Sequence, residues 1–81
     1  MKSMEQIKYQ QRAALTELVE YAGSQSRLAR ALGVLPQTVY GWVVRGRISA
    51  FMAIEAEKET NGFITKEQLR PDVETWREGV K

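Results

Sequence analysis

At 81 residues, with 43% hydrophobic content, the chain can hold one modest core but not two, and it is too apolar for a wholly disordered segment. It has no cysteine and no histidine, which excludes disulfides, the usual zinc and iron–sulfur ligand sets, cysteine nucleophiles and histidine acid–base catalysis. The formal net charge of +2 decides little, but its placement decides more: residues 24–50 contain no Asp or Glu, yet hold Arg27, Arg30, Arg45 and Arg47.

The first residues, as far as Arg12, are polar and lack the apolar run of a signal peptide. No stretch is apolar enough to span a bilayer, so a cytoplasmic protein with no membrane partner is expected. Ser3 followed by Gln6 has capping-box spacing and predicts a helix start. Met4, Ile7, Gln11, Ala14, Leu15, Leu18, Val19 and Ala22 then recur at helical spacing, with Gln11 the polar interruption, and Gly23 ends this helix. Its opening turns, through Arg12, are the most polar and are expected to fray or project beyond the core. Ser24 predicts the N-cap of a short second helix over 25–32, with Leu28, Ala29 and Leu32 on the buried face and Gly33 at its end. Pro36 suits a first helical position, and a third helix is predicted over about 36–44. Val39, Trp42 and Val43 share its inward face, and Gly46 closes it.

Ser49 predicts the cap of a fourth helix over 50–60, with Phe51 and Ile54 inward, joined by Met52 or Ala53. Asn61-Gly62 is a stop and turn, and Phe63-Ile64 is too short for a strand. Thr65 and Gln68 repeat the capping-box spacing and predict a helical turn over 66–70, which Pro71 keeps from continuing. The tail over 71–81 is polar except for Val73, Trp76 and Val80, and Trp76 is expected to cover the core rather than a dimer contact. With no repeat, low-complexity tract or linker, one domain over 1–81 is expected, with a polar N-terminal extension over 1–11.

Two short helices joined by a glycine turn, the second opening with polar side chains, make a helix-turn-helix, here over about 24–46. Ala29 falls where the two helices cross, Val34 plugs the space under the turn, and Val39 and Trp42 anchor the second helix. Trp42 therefore reads as core rather than as a base-stacking platform. The opposite face presents Pro36, Gln37, Thr38, Tyr40 and Gly41. Gln37 can pair bidentately with adenine and Thr38 can meet a base edge or a thymine methyl, so these two, with Pro36 and Gly41, are the expected base contacts. Gly41 weakens a helix by about 1 kcal/mol relative to Ala. Close approach to DNA would explain it, and so would close packing of another helix. Expected phosphate contacts are Gln25, Ser26 and Arg27 at the start of the second helix, with Tyr40, Arg45 and Arg47. Glu55, Glu57 and Glu59 do not share a helix face and read as solvated surface rather than a metal site. No catalytic residue, metal ligand or cofactor motif is identified, so an enzyme is not expected.

The same residues resemble the Cro/CI-like phage repressors, most closely the YdaS-like group of prophage Cro proteins. The shared pattern runs from Gly23-Ser24-Gln25 through Leu28-Ala29, Ala31-Leu32-Gly33-Val34, Pro36-Gln37, Val39 and Trp42 to Gly46-Arg47. Ile54-Glu55, Asn61-Gly62 and Leu69-Arg70-Pro71-Asp72 follow in the group's order, so the resemblance covers about residues 13–76. It implies an all-α, lambda-repressor-like helix-turn-helix domain of four to five short helices. The function implied is a prophage transcriptional repressor of Cro type that binds palindromic operator DNA as a homodimer. An antitoxin whose main role is to bind a toxin protein, through the first helix or the tail, is the alternative. Leu35 departs from the group, which often has Ser at this N-cap, and Ser49 stands where proline is common. The Leu-Arg-Pro-Asp ending shows no chemistry in the sequence.

Overall fold

The Ser3 amide donates to Gln6 Oε1 at 2.9 Å and Ser3 Oγ accepts from the Gln6 amide at 3.2 Å, so the predicted capping box opens the first helix. The computed structural model describes residues 3–78, and the described residues are all-helical without strands. They comprise α1 (Met4–Ala22), α2 (Gln25–Leu32), α3 (Pro36–Arg45), α4 (Ala50–Glu59), α5 (Lys66–Leu69) and a 3-10 turn (Glu74–Glu78). Val80 lies outside the described residues. The helix α1 packs on α2 and α5, α2 on α3 and α4, and α4 on α5. Leu15, Leu18, Leu28, Ala29, Val39 and Trp42 meet at the centre, as helical spacing predicts.

The fourth helix corrects one expectation. Phe51 is 66% exposed, while Ala53 and Ala56 are buried. Here α4 packs against both α2 and α5, and its small alanine face admits those neighbours closely where a phenyl ring would hold them apart. Two core residues lie outside any helix. Ile48 and Ile64 are 1% and 0% exposed, although no periodicity marks them. The Ile64 amide donates to the buried Thr60 Oγ1 at 3.1 Å, which fixes the turn after α4 around Asn61-Gly62.

The Leu69-Arg70-Pro71-Asp72 ending is a clamp. Leu69 is fully buried. Arg70 donates Nε to Asp72 Oδ1 and Nη2 to Asp72 Oδ2, both at 2.9 Å, and Nη1 to the Ile48 carbonyl at 3.1 Å. Gln11 is buried, and its Nε2 donates to Asp72 Oδ1 at 2.8 Å. The polar interruption in α1 is thus the point where the tail is tied to the first helix, and the helix is continuous through its polar opening turns. The Arg70 guanidinium, by hydrogen bonding, holds the Asp72 carboxyl below the usual carboxylate range, against a smaller opposing effect of burial. Trp76 Nε1 donates to the Arg70 carbonyl at 2.9 Å, and Lys66 Nζ sits 5.4 Å from the Trp76 ring centre, so Trp76 covers the clamp from the tail. Glu57 is also structural: its Oε1 accepts the Lys66 amide at 2.7 Å at the start of α5.

Candidate nucleic-acid interface

Two left-handed glycines bracket α3. Gly33 has φ 72° and Gly46 φ 76°, a conformation that costs an L side chain strain and glycine none. At Gly33 the Val34 amide donates to the Ala29 carbonyl at 2.9 Å; at Gly46 the Arg47 amide donates to the Trp42 carbonyl at 3.0 Å. Both helices of the motif therefore end in the same tight reversal, which satisfies their last carbonyls. Val39 and Trp42, 0% and 2% exposed, press α3 onto the core. Its other face is thereby turned outward.

That face carries the expected base contacts. Pro36, Gln37 and Thr38 are exposed, Gly41 is half-exposed, and Tyr40 stands exposed beside them. Val44 is exposed as well. Its only signal in the sequence is its place seven residues, two helical turns, after Gln37 on the same face. Leu35 occupies the N-cap of α3 with no side-chain cap bond and is exposed. Packing against another helix does not explain Gly41. The three atoms nearest a Cβ built there all belong to the Arg45 guanidinium, the closest being Nη1 at 3.1 Å. Arg45 thus folds back along the outward face of α3.

The start of α2 carries the first group of expected phosphate contacts. Ser24 Oγ caps the helix by accepting the Arg27 amide at 3.1 Å. The amides of Gln25 and Ser26 have no carbonyl one turn earlier to receive them. Ser26 and Arg27 are exposed, and the half-buried Gln25 lines a groove with Arg12 and Val43. Arg27 curls back against Gly23, where its Nη1 would lie 3.0 Å from an added Cβ. Arg45 and Arg47 are exposed on either side of the buried Gly46. They line a cleft whose other wall is Lys8, Gln11 and Arg12 of α1. Neither Lys8 nor Arg12 was singled out from the sequence. Both lie outside the acid-free block, and their only signal is the four-residue spacing that puts them on one face of α1.

Among the described residues, Arg27, Arg30, Arg45 and Arg47 enter no ion pair; the salt bridges lie on α4, on α5 and in the clamp. No described helix is long and apolar enough to cross a membrane, and no group of three His, Cys, Asp or Glu side chains among the described residues could hold a metal ion.

Residues 15–78 match the family described as bacterial toxin YdaS. The fold is similar to that of the Cro protein from prophage element Xfaso 1 of Xylella fastidiosa strain Ann-1. The TM-score is 0.70 at 40% identity, over 74% of this chain and 92% of that one. No curated protein matches the chain.

Proposed function

The chain belongs to the YdaS family and has the helix-turn-helix fold of a prophage Cro protein; from that premise we propose that it is a transcriptional repressor that reads operator DNA with α3. The observation that carries this reading is the outward face of α3, polar at Gln37, Thr38 and Tyr40, without a side chain at Gly41, where the Arg45 guanidinium lies, and flanked by arginines in no described ion pair. Gln37 and Thr38 read base edges, with Pro36 and Gly41 letting the helix approach. The thymine methyl is a natural apolar partner for Val44. Gln25, Ser26, Arg27, Tyr40, Arg45 and Arg47 hold the phosphates on either side.

The protein acts as a homodimer on a palindromic site in the cytoplasm, where a prophage's DNA lies. One module this small covers little DNA, and two modules gain affinity from half-sites about 34–36 Å apart. Binding to duplex DNA flanking the protein's own gene, compared with random duplex over a range of salt, tests the reading. A preferred site is expected, with strong weakening as salt rises. Equal affinity for both duplexes would remove the operator-specific claim. In the same assay Gln37→Ala is expected to relax sequence preference, while Arg45→Ala weakens all sequences alike.

The family description favours a second reading, a module that acts on or with a protein partner in a toxin system. The exposed Tyr21 and Phe63 rings, stacked with centroids 5.4 Å apart, offer such a partner an apolar surface. Co-purification with the product of a neighbouring gene, together with weak, sequence-blind DNA binding, would favour it over the first.

A further inference from the structure

We infer that the first helix contributes a DNA-phosphate site of its own, in which Lys8 and Arg12 complete with Arg45 and Arg47 a four-cation cleft at the end of the recognition helix. This rests on the DNA-binding reading and extends the contact surface from the helix-turn-helix to α1. The cleft is lined by Lys8, Gln11, Arg12, Arg45, Gly46 and Arg47, with no carboxylate among them. Lys8 and Arg12 are one turn apart on the exposed side of α1, and Arg45 and Arg47 flank Gly46 opposite.

Arg12 is held in place. Its Nη1 donates to the Val43 carbonyl at 3.4 Å, in the last turn of α3, where the helix end favours a cation. Its guanidinium lies over Gly46, so close that an added Cβ would come within 2.5 Å of Nη2. A guanidinium has five N–H donors, and the Val43 carbonyl takes one, leaving a positioned fork for an anion. Four cations around one concavity repel each other, and no described acid pairs with any of them. A phosphodiester entering the cleft removes that repulsion.

The cleft also joins the surfaces already assigned. Arg45 reaches back over Gly41 on the reading face, and Arg12 is shared with the groove that holds Gln25. Glu20 lines that neighbouring groove and not the cleft, and Asp72, which bonds the cleft's Gln11, is paired with Arg70. Gln25, Arg12, Arg45 and Lys8 therefore form a continuous band along which a DNA strand can run.

The test is the salt dependence of duplex binding by Lys8→Gln/Arg12→Gln, beside Arg45→Gln and the charge-conserving Lys8→Arg/Arg12→Lys. Each lost phosphate contact lowers the slope of log affinity against log salt by about 0.9, so the double variant should lose about 1.8, equally on operator and random duplex. The charge-conserving variant should keep the wild-type slope. The Lys8 side chain makes no described hydrogen bond, so Lys8→Gln alone, expected to lose about 0.9, carries the test if removal of Arg12 unfolds the chain. A double variant with wild-type slope, where Arg45→Gln has lost its share, overturns the inference and leaves the DNA reading standing. No salt-dependent duplex binding by the wild type removes both. Displacement of DNA by inorganic phosphate, at ionic strength matched with chloride, would make the cleft a free-anion site and overturn the assignment.

Discussion

The two ends of this molecule treat charge in opposite ways. Around α5 and the tail, polar groups are paired inward: Arg70 with Asp72 and the Ile48 carbonyl, Gln11 with Asp72, Glu57 with the Lys66 amide, Trp76 with the Arg70 carbonyl. Around α3 the arginines lie in no described ion pair and the polar side chains of the helix face outward. Both ends hold arginines, but residues 24–50 contain no acid, whereas residues 66–78 carry Glu67, Asp72, Glu74 and Glu78 beside Lys66, Arg70 and Arg77. In the fold the difference becomes whether a partner lies within hydrogen-bond reach in the same chain. Paired groups hold the fold together. Unpaired cations, gathered on one side, are left for an anion from outside.

Four substitutions can break or sharpen that contrast. Leu69→Ala, at the fully buried centre of the paired end, is expected to cost about 2–5 kcal/mol in urea unfolding, a large part of the stability of a small domain. A cost below about 1 kcal/mol would mean that the clamp end does not anchor the fold. Leu35→Ser, at the open end, should supply the missing cap of α3 and stabilise by about 1 kcal/mol. That raises the thermal midpoint by about 4–8 °C; an unchanged midpoint would show that the cap position is already satisfied. Gly41→Ala should stabilise the helix by up to about 1 kcal/mol, because only the mobile end of Arg45 must shift, while weakening operator binding. Unaltered binding would remove close approach to DNA as the reason for this glycine.

The smallest effect concerns pH. Arg70 holds Asp72 below its ordinary value, so the pair stabilises the fold above about pH 4, and that contribution is lost as pH falls through the lowered value. The pair is partly exposed, and the effect should stay within about 1 kcal/mol. Asp72→Asn should flatten the acid limb of the stability curve. An equally steep limb in the variant would assign acid unfolding to other carboxylates.

Much of the fold was legible because it is written in short-range signals. Ser3, Ser24, Ser49 and Thr65 each cap the helix they predict, and Gly23, Gly33 and Gly46 end theirs. Three- and four-residue spacing identified Leu15, Leu18, Leu28, Val39 and Trp42 as core. Spacing failed at α4, where Phe51 and the alanines all fit a helical pattern and only the closeness of α2 and α5 selects the small face. It was silent at Ile48 and Ile64, which lie between helices where no period operates.

For the candidate site, the sequence by itself determined the helices, their stops and the outward residues of α3, since each depends on neighbours a few positions away. Tertiary structure alone decided which charges pair. Asp72 meets Gln11 from 61 positions along the chain, and Arg12 reaches the Val43 carbonyl from 31. Such encounters depend on how whole helices pack, and local spacing carries no record of them. For the same reason the Leu-Arg-Pro-Asp ending showed no chemistry until it was folded against α1, and Lys8 and Arg12 looked like ordinary surface until α3 ended beside them.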